Sequence, residues 1–218
     1  IIISKEHQTG VAGIHVDSNS GQNAITVIRG APASFTKDEI DINIIKKSKI
    51  FLTQLEIPIE VTLHCLKVAK ENGLVNILNP APACKLDKEF FSLADFFTPN
   101  EAEAEFYTGV KINNESDAKE SAKKLLELGL KKVIITLGEK GLFYADGKEE
   151  IYIKALPFKK VEDTTGAGDA FNGGLAYALS KNKSIKESLN IANQVAGLST
   201  LKLGAGNSMP LLTDLKQD

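Results

Sequence analysis

After Pro32 the sequence alternates between short apolar runs and longer segments with helical spacing. Apolar runs of strand length occupy residues 49–55, 74–78, 94–97 and 133–137. This repetition predicts an α/β fold of three layers, in which a Rossmann-like, mostly parallel sheet lies between helices. Ligands of such folds bind at the carboxyl ends of strands. The loops to examine therefore follow Leu55, Leu78, Phe97, Leu137 and Val161.

Helices are predicted at residues 58–72, 117–128, 168–179 and 185–201. Gly73 and Gly129 follow the first two as stop signals. Ser184 is the predicted N-cap of the last helix, and a shorter helix is expected to begin near Asn100. These lengths suit helices that cover the two faces of the sheet.

The first 30 residues follow another pattern. Alternation over residues 11–17, turn-forming residues 18–21 and an extended run at 24–28 predict a β-hairpin. A second hairpin is expected where residues 141–145 and 150–154 flank Asp146-Gly147. We therefore divide the chain into a hairpin segment, residues 1–30, and an α/β core, residues 31–218.

The charge balance favours small-molecule ligands over polyanions. With 26 basic and 28 acidic residues, the net charge of −2 predicts neither a nucleic-acid nor a membrane partner. Two cysteines, Cys65 and Cys84, are too few and too far apart for a disulfide framework, which indicates a reducing compartment. No apolar run approaches the roughly 18 residues of a membrane span, and no signal peptide is visible. The expected location is the cytoplasm, and the nucleus is not excluded.

The stretch 163–169, Asp-Thr-Thr-Gly-Ala-Gly-Asp, is the strongest chemical feature. Its small residues Gly166, Ala167 and Gly168 lead directly into a predicted helix, so their N–H groups can face a phosphate near the positive end of the helix dipole. Asp169 can accept a proton from an attacking hydroxyl there. A plain N-cap role for this carboxylate is about equally favoured by the local pattern alone. The chain has neither a GxxxxGK[ST] P-loop nor a GxGxxG dinucleotide motif.

Residues 163–171 resemble the C-terminal signature of the PfkB carbohydrate kinase family. Three further stretches resemble the ribokinase group of that family and lie, in the family's order, at the strand ends chosen above. They are Gln54-Leu55-Glu56, Asn79-Pro80-Ala81-Pro82-Ala83, and residues 98–105, Thr-Pro-Asn-Glu-Ala-Glu-Ala-Glu. The resemblance covers essentially the whole chain. It implies ATP-dependent phosphorylation of D-ribose at the 5-hydroxyl, with Mg²⁺ and K⁺ or a similar monovalent cation.

The resemblance also implies roles for matching residues. Asp169 would be the base and Glu56 a sugar contact, while Gly166, Ala167 and Gly168 would form the anion hole. Nucleotide contacts would be Asn100, Thr136, Gly138, Glu139, Lys140, Gly141, Gly168 and Asn193. Glu103 would serve magnesium through water. The monovalent cation would be surrounded by Asp163, Thr165, Ser199, Lys202, Gly204 and Ser208.

Without the resemblance, several of these residues have ordinary explanations. Glu103 and Glu105 on a short helix are expected to be solvated surface, and Thr136 could simply end a strand. Glu56 is harder to dismiss, because a carboxylate that ends a buried strand needs a partner.

The family pattern has an N-terminal third that is missing here, with its first strands, a Gly-Gly sugar motif and an acidic sugar contact. The chain also begins at Ile1 without methionine, so a piece of a longer protein is expected. The hairpin would be part of a lid, and a homodimer is expected for the complete protein. Two alternatives stay open: a non-catalytic relative that binds nucleotide, and a kinase for another sugar such as fructose or a keto-deoxy acid.

Overall fold

The computed structural model describes residues 2–17, 23–158 and 160–215. In this part of the chain the strands are β1 (Val11–Val16), β2 (Asn23–Ile28), β3 (Ile50–Thr53), β4 (Val75–Leu78), β5 (Phe96–Phe97), β6 (Val133–Thr136), β7 (Leu142–Ala145) and β8 (Glu150–Ile153). The helices are α1 (Ile42–Lys46), α2 (Ile59–Glu71), α3 (Lys88–Leu93), α4 (Glu101–Thr108), α5 (Glu115–Glu127), α6 (Ala167–Ser180) and α7 (Ile185–Ser199). Short 3₁₀ turns join several of them.

The main sheet has the strand order β3-β4-β5-β6-β7-β8. Strands β3 to β6 pair in parallel, and β6, β7 and β8 pair antiparallel. The predicted mostly parallel sheet is therefore confirmed, with an antiparallel extension at one side. The predicted hairpin at Asp146-Gly147 forms β7 and β8, where Asp146 Oδ1 accepts from the N–H groups of Lys148 and Glu149 at 2.9 Å.

Helices cover both faces of this sheet, as the alternation of strand side chains requires. Val133 and Ile135 of β6 pack into one core with α2, α3, α4 and α5, whereas Ile134 packs into a second core with α6 and α7. Likewise Phe97 faces the first core and Phe96 the second. The three-layer α/β prediction is confirmed.

Some predicted boundaries and burials were wrong. The run 49–55 was predicted to be a buried strand, but β3 is only Ile50–Thr53 and Leu52 is 38% exposed. The reason is that β3 lies at the edge of the described sheet and pairs only with β4. Helices α1 and α3 were not predicted, because five or six residues are too few for helical periodicity to show.

Strands β1 and β2 form a separate two-stranded antiparallel sheet, so the predicted hairpin is confirmed. Its predicted turn, residues 18–21, lies outside the described residues. The division of the chain at residue 30 stays a prediction. In the part of the chain that the structure describes, no helix has both the length and the apolar character needed to cross a bilayer.

Candidate active site

The chain enters α6 through a glycine with a left-handed backbone. Gly166 is the N-cap with φ +75°, and an added Cβ would come within 3.2 Å of Ala205 and Met209. Only glycine adopts this conformation at little cost. Ala167 and Gly168 line a cavity at the helix start, where the N–H groups of the first turn have no acceptor within the helix. The Ala167 N–H donates to Thr164 O at 3.2 Å. This bond occupies one of the three predicted anion donors, so the anion hole at Gly166, Ala167 and Gly168 stays a prediction, supported by the position of the turn at a helix N-terminus.

Asp169 lies in the first turn of α6 and is exposed. Its Oδ1 accepts a hydrogen bond of 2.8 Å from Nε2 of Gln54, in the loop after β3. The start of α6 thus has the cavity on one side, at Ala167 and Gly168, and a carboxylate on the other. An accessible carboxylate beside an anion site is the arrangement that a base for phosphoryl transfer needs.

Glu56 follows Gln54 in the same loop, so the structure brings the predicted sugar contact to the strand end beside Asp169. The physical argument for it was wrong, however. The Glu56 side chain is exposed, so its charge is solvated and needs no partner. A sugar role for this residue stays a prediction that depends on family resemblance.

The cavity has a volume of about 1000 Å³ and lies beyond the carboxyl ends of β5 and β6. All the residues predicted to contact nucleotide line it: Asn100, Thr136, Gly138, Glu139, Lys140, Gly141, Gly168 and Asn193. Asn100 and Thr136 bridge the ends of two neighbouring parallel segments. The structure therefore brings together residues spread over almost a hundred positions of sequence, although their individual roles stay predictions.

One part of the cavity was missed by sequence reasoning. The segment Ala155-Leu156-Pro157-Phe158 lines its apolar portion, opposite Gly197 of α7. A Cβ on Gly197 would meet the Phe158 ring at 2.6 Å, so only glycine lets the ring lie this close to the helix. Two separate sequence signals were available: an apolar run in a loop at residues 155–158, and Gly197 inside a helical pattern. An apolar portion of this kind suits a planar heterocycle.

Asn100 and Glu103 cap helix α4. The Glu103 N–H donates to Asn100 Oδ1 at 2.8 Å, and the Asn100 N–H donates to Glu103 Oε2 at 2.9 Å. Glu103 is only 8% exposed, so the expectation of solvated surface was wrong for it, whereas Glu105 is exposed. Burial raises the pKa of Glu103 above its usual range. A carboxylate in this setting gains from a nearby cation, which fits a role near magnesium.

Of the predicted cation residues, Asp163 contacts Thr165 and Gly204, where the loop before α6 meets the segment after α7. Asp163 is 3% exposed, and its two carboxylate oxygens accept from the N–H groups of Thr165 at 2.8 Å and Gly204 at 2.9 Å. Hydrogen bonds from the Thr165 side chain and from both N–H groups hold the pKa of Asp163 below its usual range. Its carboxylate is therefore ionised and buried.

This loop fits a monovalent cation. Among the described residues Asp163 has no ion pair with a basic side chain, so a bound cation would balance its charge. Ser199 and Ser208 are buried, and their hydroxyls donate to the carbonyls of Ala196 and Ala205 at 2.7 Å. Lys202 is exposed, so any part it takes would be through its backbone. The oxygen-only donor set is one that hard cations prefer.

Comparison with known proteins identifies the family. The pfkB family of carbohydrate kinases matches residues 1–212, almost the whole chain. The chain belongs to the PfkB carbohydrate kinase family. This PfkB kinase is 37% identical over 221 residues to the ribokinase of Staphylococcus aureus, matching 100% of the chain and 72% of that protein. It is 36% identical to the ribokinase of Mus musculus, matching 97% of the chain and 67% of the relative.

Solved structures agree with this assignment. The ribokinase of Thermotoga maritima aligns with a TM-score of 0.81 and 39% identity, over 94% of this chain and 67% of that one. The Arabidopsis thaliana ribokinase, complexed with ribose and ATP, aligns with a TM-score of 0.86 and 31% identity over the same shares.

A further relative by sequence is the deoxyribokinase of Salmonella typhi, which is 33% identical over 96% of this PfkB kinase and 69% of its own length.

Proposed function

We propose that the protein transfers the γ-phosphoryl group of ATP to the 5-hydroxyl of D-ribose. The observation that carries this proposal is the position of Asp169 at the start of α6, between the Ala167–Gly168 side of the cavity and the loop after β3. A nucleotide in the cavity would present its terminal phosphate to the helix N-terminus. A sugar bound on the other side would place its hydroxyl against Asp169.

The proposed reaction uses the residues as follows. Asp169 takes the proton of the 5-hydroxyl while the oxygen of that hydroxyl bonds to the γ-phosphorus. The bond between this phosphorus and the β–γ bridging oxygen breaks, and ADP is released. The N–H groups at Gly168 and its neighbours stabilise charge on the transferring group, and one such donor is commonly worth about 100- to 1000-fold in rate. When bound, Mg²⁺ neutralises charge on the β- and γ-phosphates, and Asn100 and Glu103 would hold it, in part through water.

A second candidate substrate is 2-deoxy-D-ribose. It is supported by the similarity to deoxyribokinase, which is nearly as strong as the similarity to ribokinases. A site that hydrogen-bonds the 2-hydroxyl would reject the deoxy sugar, because its polar groups would be left unpaired.

The natural full-length protein is assayed with ATP and, in turn, D-ribose, 2-deoxy-D-ribose and D-fructose. We expect kcat/KM for ribose to exceed that for deoxyribose by at least about tenfold. Phosphorus–proton coupling in the product should place the phosphate on carbon 5. A higher kcat/KM for deoxyribose would make deoxyribose the proposed substrate in place of ribose. If phosphate is transferred to none of these sugars, the non-catalytic alternative is supported.

We also propose K⁺ as a ligand of the loop at Asp163. The buried, ionised carboxylate supports this, and binding should stabilise the fold. The melting temperature should rise more with KCl than with tetramethylammonium chloride at the same ionic strength. The difference should vanish in Asp163→Asn. An equal response to both salts would reject K⁺ binding.

The complete protein is further proposed to be a cytoplasmic homodimer that pairs through the β1–β2 hairpin. On one face of this hairpin the apolar side chains of Ile14, Ile25 and Val27 are at least 43% exposed, and Val11 and Ile28 are exposed on the other face. Such a surface is typical of an interface. Sedimentation of the full-length protein, compared with a variant carrying Val27→Asp, should show the dimer and its loss. A wild-type monomer would reject it.

A further inference from the structure

A chain of hydrogen bonds leads from the interior of the sheet to the side chain of Asp169. The Asn79 Nδ2 donates to the backbone carbonyl of Thr98 at 2.7 Å. The Asn79 Oδ1 accepts from Gln54 Nε2 at 2.9 Å, and the same nitrogen donates to Asp169 Oδ1 at 2.8 Å. Both protons of the Gln54 amide nitrogen are thereby used.

A second branch leads from the same threonine to the backbone beside Asp169. The Thr98 hydroxyl donates to Asn172 Oδ1 at 2.7 Å, and Asn172 Nδ2 donates to the Gly168 carbonyl at 2.9 Å. Thr98 is 1% exposed and Asn172 is 4% exposed, so this branch lies in the protein interior. The two branches fix the first turn of α6 and the carboxylate that it carries.

The direction of the first branch is set by a group that can only accept. A carbonyl oxygen has no proton, so the Thr98 carbonyl requires the nitrogen of Asn79 to face it. The oxygen of Asn79 must then face Gln54, and it requires the nitrogen of Gln54 in turn. Gln54 therefore presents a donor, never its carbonyl, to Asp169.

We propose that Gln54 is a positioning residue for the base, and that Asn79 fixes its orientation. The hydrogen bond from Gln54 occupies Oδ1 of Asp169, which leaves Oδ2 to receive the proton of the sugar hydroxyl. The inference rests on the proposed function, in which Asp169 is the base. Asp169 is exposed and lies at a helix end, so without this bond its side chain could adopt other rotamers.

The kinetic test removes the donor without changing charge. In the full-length protein, Gln54→Leu should lower kcat by about 10- to 100-fold, since a small misplacement of a reacting group costs up to about that factor. The KM for ATP should change less than twofold. Gln194→Leu, the same substitution at a half-buried glutamine of α7, should leave both constants near wild type.

A positioning role and a merely structural role of Gln54 predict different rates when Gln54→Leu is combined with Asp169→Asn. If Gln54 acts through Asp169, Gln54→Leu should have no further effect on the residual rate of Asp169→Asn. A merely structural residue would lower the rate by the same factor in both backgrounds, and that result would overturn the proposal. A Gln54→Leu variant within threefold of the wild-type kcat would overturn it as well.

A spectroscopic readout is independent of turnover. In proton–nitrogen NMR spectra, Asp169→Asn and Asn79→Leu should each move the side-chain amide resonances of Gln54. Those of Asn76, whose amide donates to the carbonyls of Leu66 and Leu93, should stay in place. Unmoved Gln54 resonances would overturn the proposal. An inactive wild type with these shifts would overturn the proposed function and support the orientation of Asp169.

Discussion

The side chain of Asp169 is both accessible and held by a hydrogen bond. It is accessible to solvent, as a base that meets a substrate must be, and it is also held by a donor from a distant strand end. Its position in the first helical turn stabilises a negative charge through the helix dipole. The alternative of a plain N-cap is not what the structure shows, because the N-cap of α6 is Gly166.

Replacing Asp169 by asparagine keeps the size of the side chain and removes the proton acceptor. We expect sugar phosphorylation by the full-length protein to fall by about 100- to 10,000-fold, the usual contribution of a general base. Nucleotide affinity, measured by calorimetry, should stay within about twofold. An unchanged rate would exclude Asp169 as the base, and an unchanged melting temperature would show that folding is intact.

Asp163 makes a different prediction, about stability and pH. Its folded pKa lies below the unfolded value, so its stabilisation is present above the unfolded pKa and is lost as the pH falls through the folded pKa. At pH 7, Asp163→Asn should lower the free energy of unfolding by about 1–3 kcal/mol, because an amide group then faces an N–H donor. Urea unfolding at falling pH should show this difference shrinking below pH 4. A constant difference down to pH 2 would contradict the argument.

At the scale of elements, the packing of α6 against α7 fixes where the active-site turn lies. The two helices approach closely at Gly174, where an added Cβ would come within 3.0 Å of Ala192 and Val195. Gly173, one residue earlier in the same helix, has open space around the same position. Two adjacent glycines of one helix therefore differ only in what faces them.

Alanine substitutions at these two positions should have opposite effects. Gly174→Ala should destabilise the protein by about 1 kcal/mol or more, because it separates packed helices. Gly173→Ala should stabilise it by about 0.5–1 kcal/mol through the higher helix propensity of alanine. Chemical unfolding of both variants against wild type measures the two differences. Equal effects would contradict close packing of α6 against α7 at Gly174.

At the scale of the whole molecule, the predicted nucleotide residues line a cavity, whereas the predicted sugar contacts lie on the exposed surface. The cavity is lined by the segment between β6 and β7, by the segment after β8, and by residues of α6 and α7. On the sugar side, Glu56 and Asp169 are both exposed. The chain spans 72% of the Staphylococcus aureus ribokinase and 67% of the Mus musculus enzyme.

A polypeptide of residues 1–218 should therefore still bind nucleotide, but it should phosphorylate ribose poorly. If the sugar site is open to solvent, water cannot be excluded from the surroundings of the transferring phosphoryl group. We expect kcat at least about 100-fold below that of the full-length protein, with ATP affinity within about tenfold, measured by coupled assay and calorimetry. Turnover equal to the full-length rate would refute the prediction.

The sequence by itself determined the layers, and it predicted an anion site at the turn before α6. The alternation of short apolar runs with helical segments, and the glycine-rich turn before α6, are local patterns, so they can be read without knowing which segments meet. The resemblance to a family added the nucleotide residues, all of which line one cavity.

Only the tertiary structure decided which polar groups meet. Gln54 and Asp169 are 115 residues apart, and their contact depends on the order of the sheet and on where α6 docks. The same holds for Phe158 against Gly197. Glu103 became buried because its side chain turns back to cap α4. Such contacts follow from how distant elements pack, and no local pattern of residue types specifies that packing.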